Sequence, residues 1–294
     1  MPQAENQVRC VDAAYALLGE APFWDVAEQA VFWVDIYGRR IHRLHPQSGA
    51  TQSWLMPDRV AAVIPRAQGG FLVALARELA LFDPATGGLQ TVFSLDASTA
   101  GTRFNDSRTD SLGRLWIGTM NEDGDAPTGT LFRVDATMTC TPMEHGIGIS
   151  NSINFSPDDR IFYLVDTPER IIRAYPFDLE AGTIGMRRNL LTVDGRTAFP
   201  DGSAVDVEGC IWNAQWDGSR VVRYGPDGTI RQIVEMPCSR PTSCVFGGPD
   251  LTTLYITTSC MELSQTRMRV EPLAGSLFAF EAGVAGRPCT RFAG

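Results

Sequence analysis

Apolar residues along this chain fall in short alternating runs rather than in the three-to-four spacing of an amphipathic helix. Each run carries an aromatic and stops at Gly, Pro, Asp or Asn, which is the pattern of strands joined by tight turns. Residues 199–212, FPDGSAVDVEGCIW, show it most clearly: a Pro-Asp-Gly turn, an alternating run, a Glu-Gly turn, then a strand ending in Trp212. The same order recurs from Ala30 (AVFWVDIYGRRIHRLHPQSG), Gly69 (GGFLVALARELALFDPATG), Gly113 (GRLWIGTM, then GTLFRVDA), Asp159 (DRIFYLVDTPERIIRAYPFD), Gly209 (GCIWNAQWDGSRVVRYGPDG) and Thr252 (TTLYITTSC, then GSLFAFEAG). The starts are about 39 to 50 residues apart, the length of one four-stranded propeller blade.

Six units predict an all-β, six-bladed propeller. A blade has an apolar face it cannot bury alone, so neighbours must stack around an axis and the ring must close. Residues 8–15 belong to no complete unit, and we expect them to add an outer strand to the last blade, closing the ring. A pair of β-sandwiches or a parallel β-helix also uses short strands, but neither needs a period near 45 residues. No Ser/Gly-rich or charged linker interrupts the chain, so residues 1–294 read as a single domain.

Composition narrows the function classes. Apolar residues are 44% of the chain, enough for a full core, yet no apolar run approaches the roughly 20 residues of a membrane helix. The net charge of −9 comes with no basic run, which sets nucleic acid aside as a partner. The first ten residues, MPQAENQVRC, have neither the basic nor the apolar region of a secretory signal. The seven cysteines form no CxxC pair, as fits a reduced, cytoplasmic protein; only Cys238 and Cys244 are close enough in sequence to suggest a disulfide.

The polar residues share the register of the repeat. Asp201 stands eleven residues before Trp212, Asn105 eleven before Trp116, Asn151 twelve before Tyr163 and Glu20 thirteen before Trp33. Equivalent positions in a propeller lie at one height and radius, so these four side chains should converge on the axis at the entry to the innermost strands. Each has a bland alternative: a turn-stabilising Asp, an Asx turn at either Asn, a solvated Glu. Together, two carboxylates and two amide carbonyls make a cluster of hard oxygen donors suited to a divalent cation, which would relieve the repulsion between facing carboxylates.

At these residues the chain resembles the family of senescence marker protein 30, gluconolactonases and related sugar lactonases. The resemblance spans nearly the whole chain: GEAPFWD at 19–25, FWVDI at 32–36, RFND at 103–106, GRLWIGTM at 113–120, ISNSINFSPD at 149–158, PDGSAVDVEGCIW at 200–212 and FGGPDLTTLYITT at 246–258. It implies one divalent metal ion (calcium, zinc, manganese, magnesium or iron) held by Glu20, Asn151 and Asp201. It also implies substrate contacts from Arg103, Asn105 and an acidic residue after the GTM motif, where this chain reads Asn121-Glu122-Asp123 and we favour Asp123. Where the family usually has Ser-Asn-Gly, this chain has Ser150-Asn151-Ser152, which narrows the backbone's options.

The implied reaction is hydrolysis of a sugar lactone to the aldonic acid by a carboxylic ester hydrolase. In it the metal polarises the carbonyl and activates water, and Asp201 is the candidate general base. The expected partner is a small-molecule lactone, with the protein a monomer or weak homo-oligomer. Neither a GxSxG elbow nor an HExxH motif is present. Two rival readings are a paraoxonase-like esterase, which normally adds a catalytic histidine and a second calcium, and a non-catalytic propeller that binds calcium or a partner. Of three histidines, His42 and His45 read as solvated on an outer strand and turn, and His145 as a loop residue with some reach toward the pocket. Trp33, Trp116 and Trp212 read as core between blades, and Trp216 as either core or a sugar-stacking platform. Tyr37 and Arg59 read as rim residues, and Arg103, Arg59 and Arg240 as possible partners of an acidic substituent.

Overall fold

The innermost strands of six antiparallel sheets touch one another in sequence order, and the last returns to the first. They are Gly19–Asp25, Val60–Pro65, Thr102–Thr109, Ser150–Phe155, Phe199–Val205 and Pro241–Gly247. The structure, a computed structural model, describes residues 7–193 and 197–294. The predicted six-bladed propeller is thus the observed fold. The domain read over 1–294 includes residues 1–6 and 194–196, which lie outside the described residues.

Each blade is an antiparallel sheet whose two inner strands are mostly buried and whose outer strand is far more exposed. In the first blade, Ala30–Asp35 is buried throughout while Ala50–Leu55 is almost all exposed. This follows from position: an inner strand is covered by a neighbouring blade on each side, so it reads as a continuous apolar run, and an outer strand faces water. Two features depart from the sequence reading. The fourth blade splits its outer strand into Thr183–Ile184 and Arg188–Thr192, both pairing with Ile171–Asp178. The sixth blade carries a six-residue helix, Gln265–Val270, started by the Ser264 side chain accepting from Arg267 N. Only two of those six residues are aliphatic, Met268 and Val270, so no hydrophobic period announced it. No helix among the described residues is long and apolar enough to cross a membrane.

Strand Arg9–Asp12 pairs antiparallel with Leu277–Glu281, bringing Arg9 opposite Ala279 and Cys10 opposite Phe278. The C-terminal segment has a role that no repeat or motif announces. Residues 285–294 run beneath all six blades, at the end where the innermost strands finish. Phe292 N donates to Pro65 O at 2.9 Å, Ala293 N to Gly113 O at 3.0 Å, Val207 N to Ala285 O at 3.0 Å and Gly286 N to Leu251 O at 2.8 Å. Arg291 pairs with Asp25 and Arg287 with Asp159. All seven cysteines are free, so the possible Cys238–Cys244 bridge does not form.

Candidate active site

On every innermost strand the register with its neighbour slips close to the start. The slips fall between Glu20 and Phe23, Val60 and Ala62, Phe104 and Ser107, Asn151 and Asn154, Pro200 and Ser203, and Pro241 and Ser243. A bulge of this kind bends the strand and re-aims a side chain. Glu20, Asn105, Asn151 and Asp201 all sit at such slips, and all four line one cavity of about 350 Å³ at the end of the ring opposite the C-terminal segment. In the second and sixth blades the slip holds Ala61 and Thr242 instead. The local sequence explains the bulge at Asp201. A Cβ on Gly202 would lie 2.1 Å from Ser243 Oγ, so only glycine lets the strand pass the next blade there.

The electrostatics of the cavity are unusual. Glu20 and Asp201 are both buried, and among the described residues neither has an ion-pair partner. Burial pushes the Glu20 carboxyl up to about 8, with the charge of Asp106 adding to it. Burial raises Asp201 well above its ordinary value too, with Glu20 the next cause. Asn105 Nδ2 donates to Asn151 Oδ1 at 3.1 Å and to Ser150 O at 2.9 Å. Asn151 Nδ2 donates to Thr167 Oγ1 at 2.9 Å, and Thr167 Oγ1 to Pro200 O at 2.8 Å, so the two amides and the Asp201 turn form one connected string. Arg103 is 3% exposed and donates to Phe104 O and Asn105 Oδ1 at 2.8 and 2.9 Å, with no carboxylate in ion-pair range among the described residues.

The donor chemistry fits a divalent cation. Among the described residues no group of three or more His, Cys, Asp and Glu side chains is placed to hold a metal ion. The set is instead mixed, two carboxylates with amide oxygens, all hard donors. Asn151 Oδ1 has one hydrogen bond and a second lone pair free. Two facing buried carboxylates without an ion-pair partner among the described residues are what a cation would stabilise.

Other expectations fare differently. Asp123 is exposed, its N–H held by Asn121 Oδ1 at 2.9 Å, and it is not part of the cavity wall; Asp125, two residues on, is. The loop turns at Asn121 and carries Asp123 outward. Glu122 is tied to Arg59 at 2.9 Å. Tyr37 and Trp216 both line the cavity, whereas Arg240 lies 4.6 Å over the Trp216 ring and is bound to Asp217. His42 is half-buried and stacked on Trp33 at 5.0 Å rather than solvated, and burial lowers its pKa. His145 is not in a loop: it is exposed on the outer strand Cys140–Ile147, beside Thr130, away from the cavity.

The aromatic register needs one correction. Trp212, Trp116 and Tyr163 lie opposite Ala204, Arg108 and Asn154, each three residues past its site residue. In the first blade that place belongs to Phe32, opposite Phe23. Trp33 is one residue out, so it faces the other side of the sheet and packs with Trp24, Val245 and Tyr255 toward the sixth blade. Sequence reasoning missed Asp125, Phe199, Met120 and Met261 in the cavity wall. All but Phe199 lie outside the innermost strands, so the repeat register carried no signal for them.

Residues 18–260 match the family model described as "SMP-30/Gluconolactonase/LRE-like region". The chain belongs to that family. It is 40% identical over 289 residues to a 6-deoxy-6-sulfogluconolactonase of Pseudomonas putida, covering 98% of this chain and 99% of that one. It is 34% identical over 290 residues to a pentonolactonase of Haloferax volcanii, covering 95% and 96%. Its fold superposes with TM-score 0.93 on a calcium-binding protein, regucalcin, from Agrobacterium tumefaciens, at 32% identity and 98% coverage of both chains. The lactonases among these SMP-30/gluconolactonase relatives are carboxylic ester hydrolases, the enzyme class expected from the sequence.

Proposed function

We propose that this cavity hydrolyses an aldonolactone to the aldonic acid, with one divalent cation held by Glu20, Asn151 and Asp201. The observation that carries the reading is the pair of buried carboxylates, with no ion-pair partner among the described residues, at bulges that bring them together with Asn105 and Asn151. The lactone-acting relatives support the substrate class. A bound cation supplies Lewis-acid polarisation of the lactone carbonyl and a lowered pKa for water. Asp201 takes the proton of the attacking water at its carboxylate. Arg103 orients the substrate through guanidinium N–H groups, Asn105 holds Asn151 and Arg103 in place beside it, and Asp125 takes the role first given to Asp123, accepting from a sugar hydroxyl. Tyr37, Phe199 and Trp216 give the ring an apolar wall and exclude water from the reacting bond.

Within that class, Arg103 favours a lactone bearing an anionic substituent. A guanidinium this buried, with no carboxylate in ion-pair range among the described residues, is best compensated by a negative group on the ligand. The relative named 6-deoxy-6-sulfogluconolactonase supports the same reading. The test is a substrate panel: five- and six-membered aldonolactones, 6-sulfonated gluconolactone and aryl esters, followed as acid release. Turnover confined to the lactones, fastest with the sulfonated one, is expected. Preference for aryl esters would move the protein to the paraoxonase-like reading.

A further inference from the structure

The two carboxylate-bearing bulges are pinned from outside by hydroxyls of neighbouring blades. Ser152, in the fourth blade, donates through Oγ to Asp201 O of the fifth at 2.5 Å. Thr242, in the sixth blade, donates through Oγ1 to Gly19 O, beside Glu20 of the first, also at 2.5 Å. Both hydroxyls are buried, Ser152 at 1% and Thr242 at 0% exposure. Asp201 O lies within a register slip, where the strand's own ladder is interrupted, and Gly19 O stands in the paired stretch just before one. Ser152 holds this position at a cost, because its φ of 55° is in the left-handed region that favours glycine. A serine kept there without a function for its hydroxyl would be the poorer residue. A second hydroxyl, Ser203 Oγ, lies 2.5 Å from Ser152 Oγ, and Asn213 Nδ2 donates to Asp201 O at 3.1 Å, so the pin is part of a buried polar cluster beneath the cavity.

We propose that Ser152 and Thr242 are positioning residues, which set the aim of Asp201 and Glu20 across the blade boundaries. The inference rests on the reading of these carboxylates as the cation and water-activating groups. It predicts that removing either hydroxyl loosens cation binding and slows the chemical step without unfolding the ring. Ser152→Gly suits the test, since glycine adopts φ 55° without strain and Asn213 still holds Asp201 O. Thr242→Val removes the hydroxyl at nearly constant volume, and Thr242→Ser restores it.

Metal-stripped wild-type protein and the three variants are titrated with calcium and with manganese by calorimetry, and assayed on gluconolactone. Deuterium exchange is read over residues 199–205 for Ser152→Gly and over 19–25 for Thr242→Val. We expect affinity and kcat to fall about tenfold in Ser152→Gly and Thr242→Val. KM should stay unchanged, exchange should quicken only in the named segment, and Thr242→Ser should behave as wild type. Wild-type affinity, kcat and exchange in both variants would overturn the proposal. A wild-type protein that turns over no lactone would refute the lactonase reading instead. Exchange over 199–205 and 19–25 would then decide the positioning role alone, unchanged rates overturning it and faster rates supporting it.

Discussion

Two aspartates five positions apart show how similar residues acquire opposite roles. Asp206 is fully buried, but its carboxylate accepts from Trp212 Nε1 at 2.9 Å and from the Glu208 and Cys210 amides, and pairs with Arg223 at 2.8 Å. Every lone pair has a use within the fold. Asp201 is also buried, at 8% exposure, but among the described residues it has no ion-pair partner. Replacing each by asparagine should separate the two. Asp206→Asn removes the buried one of Arg223's two carboxylate partners, leaving only the exposed Glu208, and should cost about 3 kcal/mol of unfolding free energy. Asp201→Asn removes a disfavoured charge, so metal-free stability should hold or rise while lactone turnover falls to background. Denaturant melts and rates on the two variants check both halves. Asp201 was legible in the sequence because its register recurs in three other blades. The place of Asp125 in the cavity wall was not, because it sits on a loop that no repeat constrains.

At the scale of elements, strand boundaries and blade order followed from alternation and turn residues, since each inner strand is a short apolar run stopped by Gly, Pro or Asp. Bulges were invisible, because a register slip depends on both strands of a pair. That is why Trp33 was aligned with Trp116 when Phe32 is its true counterpart. The helix Gln265–Val270 was also invisible, because side-chain bonds at its ends hold it. At its C-terminal end Glu271 accepts from Ser239 N at 2.7 Å and Ser239 Oγ at 2.8 Å. Burial pushes the Glu271 carboxyl up, but the Ser239 donors and Arg267 outweigh it and hold its pKa below the ordinary 4.5. The unfolded chain therefore binds the proton more readily. Its contribution is complete above the ordinary value and is lost as pH falls through the lower folded value. Glu271→Gln should be less stable than wild type by about 1–2 kcal/mol near pH 7. The gap should close as pH drops below 4.5, which unfolding curves at a series of pH values would show.

For the whole molecule, ring closure is the governing problem, and both chain ends take part. Arg9–Asp12 completes the sixth blade's sheet, and residues 285–294 tie all six blades together beneath the channel. Phe292 is completely buried and packs with the core of the first three blades. Phe292→Ala should cost about 3–5 kcal/mol in denaturant unfolding, although it lies far from the cavity. The propeller itself was readable from its period, whereas the strap was not, because it contains no strand and repeats nothing. With one end of the channel so covered, the cavity at the other end is where the site residues meet.

Cation-dependent lactone hydrolysis through Asp201 is the activity proposed for this cavity. The most direct measurement is the initial rate of acid release from gluconolactone by metal-stripped protein in a pH-stat, before and after adding calcium, magnesium, manganese, zinc or ferrous iron, with Asp201→Asn in parallel. Stripped protein should show background rates, at least one divalent ion should restore turnover, and none should restore it in the variant. Full activity in the stripped protein, or in Asp201→Asn, would contradict the proposal.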